Sequence, residues 1–214
     1  MRVRAAGKVL ALLAAVVMAV PAGAQILTNS LPSGMTPAEF AGLVWSPSQT
    51  VLGLDNFNNT KFTASVSYAI GSIAANPGDY AYFYKVQALS FALPGDSIGR
   101  VTVNFDTSLV KTVGPVLQFG QYENGGVGAN SLVAGPITPV KLSWDATPNG
   151  DGLFAGETTY LWLVSTYPGG VPVSMQLIDG GVGTARVVAP APEPISMVLA
   201  GLGLTAIAGL RRRA

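Results

Sequence analysis

Two missing residue types narrow the chemistry of this chain: its 214 residues include no histidine and no cysteine. Ser-His-Asp and Cys-His machinery, thiol chemistry and nitrogen- or sulfur-ligated metals are therefore excluded. Carboxylates, hydroxyls, lysines and oxygen ligands remain. Paired carboxylates would serve glycoside hydrolysis, but the acids are scattered singly. Asp79, Asp96, Asp106, Asp145, Asp151 and Asp179 fall at turn signals, where an Asp ordinarily hydrogen-bonds its own backbone. The spacing nominates no catalytic pair.

The nearest approach to a metal loop is Asp145-Ala146-Thr147-Pro148-Asn149-Gly150-Asp151-Gly152, with Glu157 beyond. Its oxygen ligands would suit Ca²⁺, but a calcium loop of the EF-hand kind needs a Glu at its twelfth position. Counted from Asp145, that place is Gly156, and Pro148 disturbs the loop. A turn between strands is expected, and no metal ligand or cofactor site is assigned. Tyr80, Tyr82 and Tyr84 share one strand face, with Phe83 on the other. Such a row could stack on sugars, but cross-strand packing is the commoner use of strand aromatics. Asn58-Asn59-Thr60 fits a glycosylation sequon and is read as an uncommitted loop. Glu123-Asn124-Gly125-Gly126-Val127-Gly128 lacks the following helix of a phosphate cradle and is read as a loop too.

The elements that would carry these residues read as β throughout. Phe62, Ala64, Val66, Tyr68 and Ile70 alternate with smaller or polar residues, the pattern of a half-buried strand. Val101, Val103 and Phe105 alternate in the same way, as do Val140, Leu142 and Trp144, and Val171, Val173, Met175 and Leu177. Tyr80–Leu93 is a longer aromatic run, Val116–Phe119 a short strand, and Thr158–Tyr167 a nearly continuous apolar run expected to be central. Thr184–Val188 closes the series. Pro172 marks its run as an edge strand or a strand start. One helical turn is expected within residues 37–45. The expectation is all-β: a single β-sandwich or jelly-roll-like domain of about eight strands. With no cysteine there is no disulfide framework, so stability must come from the core.

Both ends are specialised. Arg2, Arg4 and Lys8 precede an apolar run, Val9–Val20, and Ala22 and Ala24 supply small residues at the −3 and −1 positions of a signal peptidase site. Residues 1–24 read as a secretory signal peptide. At the other end Pro192-Glu193-Pro194 is followed by an uncharged apolar span, Ile195–Leu210, then by Arg211, Arg212 and Arg213. Sixteen residues at ~1.5 Å each cover about 24 Å, short of the ~30 Å hydrocarbon core. The arginines fix the cytoplasmic side of this marginal span. Without the ends, residues 25–189 keep six basic residues against ten acids, 11 less Glu193, a net of −4. That balance excludes nucleic acid as a partner, because its binding needs clustered Lys and Arg.

In motif, span and arginines, in that order, the tail resembles the PEP-CTERM sorting signal of Gram-negative exosortase substrates. Gly78–Val86 and Leu161–Val188 are similar, less specifically, to the extracellular β domains of such substrates. The resemblance implies residues 190–214 as a transmembrane sorting helix that is recognised and cut by a membrane exosortase. It also implies transient anchoring, delivery to the cell surface or matrix, and association with exopolysaccharide or biofilm. Residues 25–189 would then be the exported domain. Three functions fit: a non-enzymatic surface or matrix protein first, a carbohydrate- or calcium-binding adhesin module second, a secreted carboxylate-dependent hydrolase last.

Overall fold

Thr36-Pro37-Ala38-Glu39 is a complete helix-start signal, and the structure uses it. The structure, a computed structural model, describes residues 30–113, 116–122, 132–134, 137–146 and 152–192. Helix α1 (Pro37–Ala41) is closed by a capping box: Glu39 N donates to the Thr36 hydroxyl at 3.2 Å, and Thr36 N donates to the Glu39 carboxylate. It supplies the helical turn expected within 37–45.

The twelve strands among the described residues are all antiparallel. In chain order they are β1 (Gln49–Leu54), β2 (Thr60–Ser72), β3 (Tyr80–Phe91), β4 (Arg100–Asn104), β5 (Thr112–Val113) and β6 (Val116–Leu117). Then follow β7 (Phe119–Tyr122), β8 (Leu132–Ala134), β9 (Lys141–Ala146), β10 (Thr158–Ser165), β11 (Gly170–Ile178) and β12 (Val182–Pro190). Ten of them form one sheet in the order β7-β10-β3-β2-β1-β12-β11-β4-β9-β8, and β5 pairs with β6 apart from it.

The all-β expectation holds, but the two separate layers of a sandwich do not appear. The single sheet curls so that its halves share one core. Phe62, Tyr82, Tyr84 and Leu161 from one half meet Val101, Leu142, Met175 and Val187 from the other. Trp144 on β9 packs edge-on against Phe119 on β7 at 5.9 Å, and its indole N–H donates to the Gly120 carbonyl at 3.1 Å. Strands far apart in sheet order are thus drawn together through a side chain. The halves stay one sheet because β1 still pairs with β12, at Leu54 and Val182.

A second cluster lies on the outer face of β3 and β10. Met35 and Phe40 cover Ala81, Phe83, Trp162 and Val164 there, and the Trp162 indole N–H donates to the Ser30 carbonyl at 2.8 Å. This cover explains the unbroken apolar run of β10, which is buried on both faces rather than alternating. That strand lies between β7 and β3, second from one end of the sheet order.

Two strand readings change in detail. Val140 is 68% exposed, because β9 starts at Lys141 and Val140 sits in the preceding turn. Pro172 lies within β11 but beyond the reach of β4, which pairs only with Met175–Ile178. Its missing N–H therefore breaks no ladder on that side, in keeping with a strand start. Val116–Phe119 also divides, between β6 and β7.

Candidate functional site

The carboxylates are mostly occupied, and not always as turn acids. Asp106 follows the turn rule: its carboxylate accepts from Ser108 N at 3.0 Å and starts the short 3-10 turn Thr107–Leu109, which holds its pKa below the usual value. Asp145 does not, for it lies within β9, opposite Arg100 in β4. There the guanidinium grips it with two bonds of 2.7 Å. This bidentate pairing commits both carboxylate oxygens of Asp145 to Arg100. Asp79 is buried and paired with Lys111. Glu157 accepts from Phe154 N at 2.8 Å and braces its own turn. Residues 147–151 of the proposed calcium loop lie outside the described residues, as does the loop 123–128. Among the described residues no three acids converge on a cation position.

Asp179 differs. Its turn joins β11 to β12, and its own main chain makes the turn bonds, with Asp179 N donating to the Gly181 carbonyl at 3.0 Å. One carboxylate oxygen, Oδ2, is buried without a hydrogen-bond partner. Burial, aided by the charge of Asp96, pushes the pKa of Asp179 up.

The tyrosine row packs. Tyr82 and Tyr84 are fully buried between the halves, and their hydroxyls are directed to main-chain carbonyls. Tyr82 Oη lies 2.7 Å from the Tyr167 carbonyl and 2.6 Å from that of Gly169; Tyr84 Oη donates to the Val188 carbonyl at 3.1 Å. Burial, with Tyr80 adding to it, raises the Tyr82 pKa to about 12, and burial also raises that of Tyr84. Both therefore stay neutral donors at any physiological pH. Asn58 of the sequon occupies an exposed turn with φ 62°.

These tyrosines matter because of what they hold. Tyr84 grips the last turns of β12 at Val188, and Ala191 N donates to the Gly169 carbonyl at 3.2 Å. The strand that leads into the tail is paired with β11 from Val182 to Pro190 and held on its other side at Val182, Arg186 and Val188, and Pro192 is exposed just after it. Residues 190–213 match the family model of the PEP-CTERM protein-sorting motif.

The chain carries a PEP-CTERM sorting signal. No curated protein and no solved structure matches the chain. The PEP-CTERM match covers Pro192-Glu193-Pro194, the apolar span and Arg211–Arg213, the residues on which the sequence resemblance rests. The signal implies export, transient anchoring through the C-terminus and processing by an exosortase. Of the motif, only Pro192 belongs to the described residues; Glu193 to Arg213 lie outside them, and so do Ala22 and Ala24 of the signal peptidase site. No helix among the described residues is long and apolar enough to cross a membrane.

Sequence reasoning missed two features of this surface. The Arg100–Asp145 pair was within reach, since both residues sit at outward positions of alternating strands. The bonds from the Gln49 side chain of β1 to the Arg186 main chain had no signal, because they need the register of distant strands.

Proposed function

We propose that this protein is a non-enzymatic constituent of the cell surface or extracellular matrix, delivered by an exosortase and associated with exopolysaccharide. The observation that carries this reading is the PEP-CTERM motif starting at residue 190, where β12 and its ladder with β11 stop. A domain so attached can be released intact when the tail is cut. The domain comprises residues 25–189 and follows a signal peptide, residues 1–24, cleaved after Ala24. Its core, enclosed by one curled sheet and held by apolar packing rather than disulfides, suits a structural task. A non-enzymatic role is supported by the engagement of Asp79 and Asp145 in ion pairs and of Glu157 in its own turn.

The test is fractionation of cells with and without their exosortase. Sorting predicts that the protein reaches the surface or medium in a shortened form only when the exosortase is present. Unchanged size and location in its absence would sink the reading.

A further inference from the structure

The outer face of β12, β11, β4 and β9 carries a line of side chains set by strand register. Arg186 stands opposite Ser174, the Asn104 amide donates to the Ser174 hydroxyl at 2.9 Å, and Asn104 stands opposite Lys141. Gln49 of β1 joins the line by bonding the Arg186 backbone. Three interstrand steps of ~4.8 Å separate the two cations, about 14 Å in all. The surface carries shallow, open depressions at the Arg186 end. A groove of about 510 Å³ is lined there by Gln49, Pro172, Ser174, Thr184 and Arg186. A second, of about 290 Å³, shares Gln49, Pro172 and Arg186 and extends to Tyr68 and Val188.

Charge selects the occupant. Lys61, Arg100 and Lys111 are neutralised by Asp55, Asp145 and Asp79. Arg186, Lys141 and Lys85 form no ion pair among the described residues, and two of these three stand in this line. The line itself contains no acid, in a domain whose net charge is −4. Between the cations it offers only hydroxyl and amide groups; Thr184 and Gln176 stand in the next row, where Thr102 and Ser143 are buried and bonded to each other at 3.0 Å. Cations separated by neutral hydrogen-bonding groups match a sugar chain that bears carboxylates at intervals. Arg186 takes a carboxylate in its planar fork, Lys141 takes another as a point charge, and Ser174 and Asn104 exchange bonds with ring hydroxyls. An anionic bilayer would call for a cluster of four or more cations.

We propose that this outer face binds a carboxylate-bearing polysaccharide along Arg186, Ser174, Asn104 and Lys141. The proposal rests on the extracellular, polysaccharide-associated reading above and names the polymer class and the face.

The test uses the full-length chain in detergent, titrated with polygalacturonate and with the same polymer after reduction of its carboxyl groups. Saturable binding of polygalacturonate is expected, with the reduced polymer at least about tenfold weaker. R186Q/K141Q should weaken binding about tenfold or more, while K85Q, on the outer face of the other half, should leave it unchanged. Should the double variant melt early, each single variant is expected to lose about threefold. Absence of polygalacturonate binding, equal binding of the reduced polymer, undiminished binding by the variants or an equal loss with K85Q would each overturn the proposal. Binding to phosphatidylglycerol vesicles in place of polygalacturonate would overturn it as well. A chain sorted by its exosortase that ignores polygalacturonate sinks this proposal alone. One that binds but is not sorted sinks only the sorting reading.

Discussion

The side chain of Gln49 bonds both main-chain groups of Arg186: its Nε2 donates to the Arg186 carbonyl at 2.6 Å, and Arg186 N donates to its Oε1 at 3.1 Å. A glutamine amide has the donor and acceptor of a peptide group, so a side chain completes a ladder that the β1 main chain does not reach. At the opposite end of the seam, Leu54 pairs with Val182. The two halves of the sheet are therefore fastened at both ends of one seam, and the groove over Arg186 opens beside the upper fastening.

Replacing Gln49 by alanine is expected to cost about 1–2 kcal/mol, the worth of two partly exposed hydrogen bonds. Gln49→Glu should cost at least as much, because a carboxylate keeps the acceptor for Arg186 N but turns a second acceptor towards the Arg186 carbonyl. Urea unfolding of the three proteins, read by tryptophan fluorescence, checks this. A Gln49→Glu protein as stable as the parent would show that the clamp contributes nothing.

Phe40 is the hinge pin of the outer cover. It is buried and meets Trp45, Phe83, Tyr122 and Tyr160 edge-on at 4.9–6.1 Å. Phe40→Ala is expected to destabilise by about 3–5 kcal/mol. The loss should be local: Trp162, beneath the cover, becomes wetter while Trp144, between the halves, stays dry. Acrylamide quenching of single-tryptophan variants separates the two, and equal quenching gains at both would refute a local role.

What the sequence disclosed and what it withheld follow from range. The Thr36-to-Glu39 box and the alternation of Phe62, Ala64 and Val66 are local, so the helical turn and the inward face of β2 could be read directly. Tyr82 and Tyr84 were legible as packing for the same reason. The alternation of β2 then fails at Ser67 and Ala69, both buried, because cover on the outer face comes from sequence-distant residues. The curl is spanned by Gln49 bonding Arg186, 137 positions away, and by Trp144 bonding Gly120. Neither contact leaves a mark on nearby composition. Gly53 shows the same limit. A Cβ there would lie 2.0 Å from the buried Phe62 ring, yet in sequence it is one glycine among 26. The line of Arg186, Ser174, Asn104 and Lys141 draws on three separate registers, so it too was invisible, whereas the PEP-CTERM tail is contiguous and was read whole.

Two aspartates should move stability in opposite directions with pH. Asp55 accepts bonds from Asn59 N, from the Asn59 amide and from Phe57 N, and it pairs with Lys61. With the Asn59 backbone bond the largest cause, its pKa falls from 3.8 to about 2. Its contribution is present above 3.8 and is lost as pH falls through about 2. Asp179 is the reverse: its folded pKa lies above 3.8 through burial and then Asp96, so the folded state holds the proton more tightly, and that stability is present below 3.8 and lost as pH rises from there through the folded pKa. Asp55→Asn should lower Tm at pH 7, with the difference shrinking as pH falls from about 4 to about 2. Asp179→Asn should raise Tm at pH 7, with its advantage fading towards pH 4. Thermal melts of the two variants at stepped pH check both signs.

Trp144 closes the curl, and its replacement tests whether that closure is energetic or incidental. The ring is fully buried, packs against Tyr84 and Phe119, and donates to the Gly120 carbonyl. Trp144→Phe removes the donor and leaves a small void, so about 2–4 kcal/mol should be lost: an unpaired buried carbonyl costs ~1–3 kcal/mol, and the missing ring volume adds to it. Because the bond runs from β9 to β7, the loss should free β7 before the middle of the sheet. Hydrogen exchange is then expected to speed up at Gly120 and Gln121 while the amides of β2 and β3 keep their protection. Uniform acceleration across the sheet would mean that the curl is held by the shared core as a whole and that Trp144 is one packed residue among many.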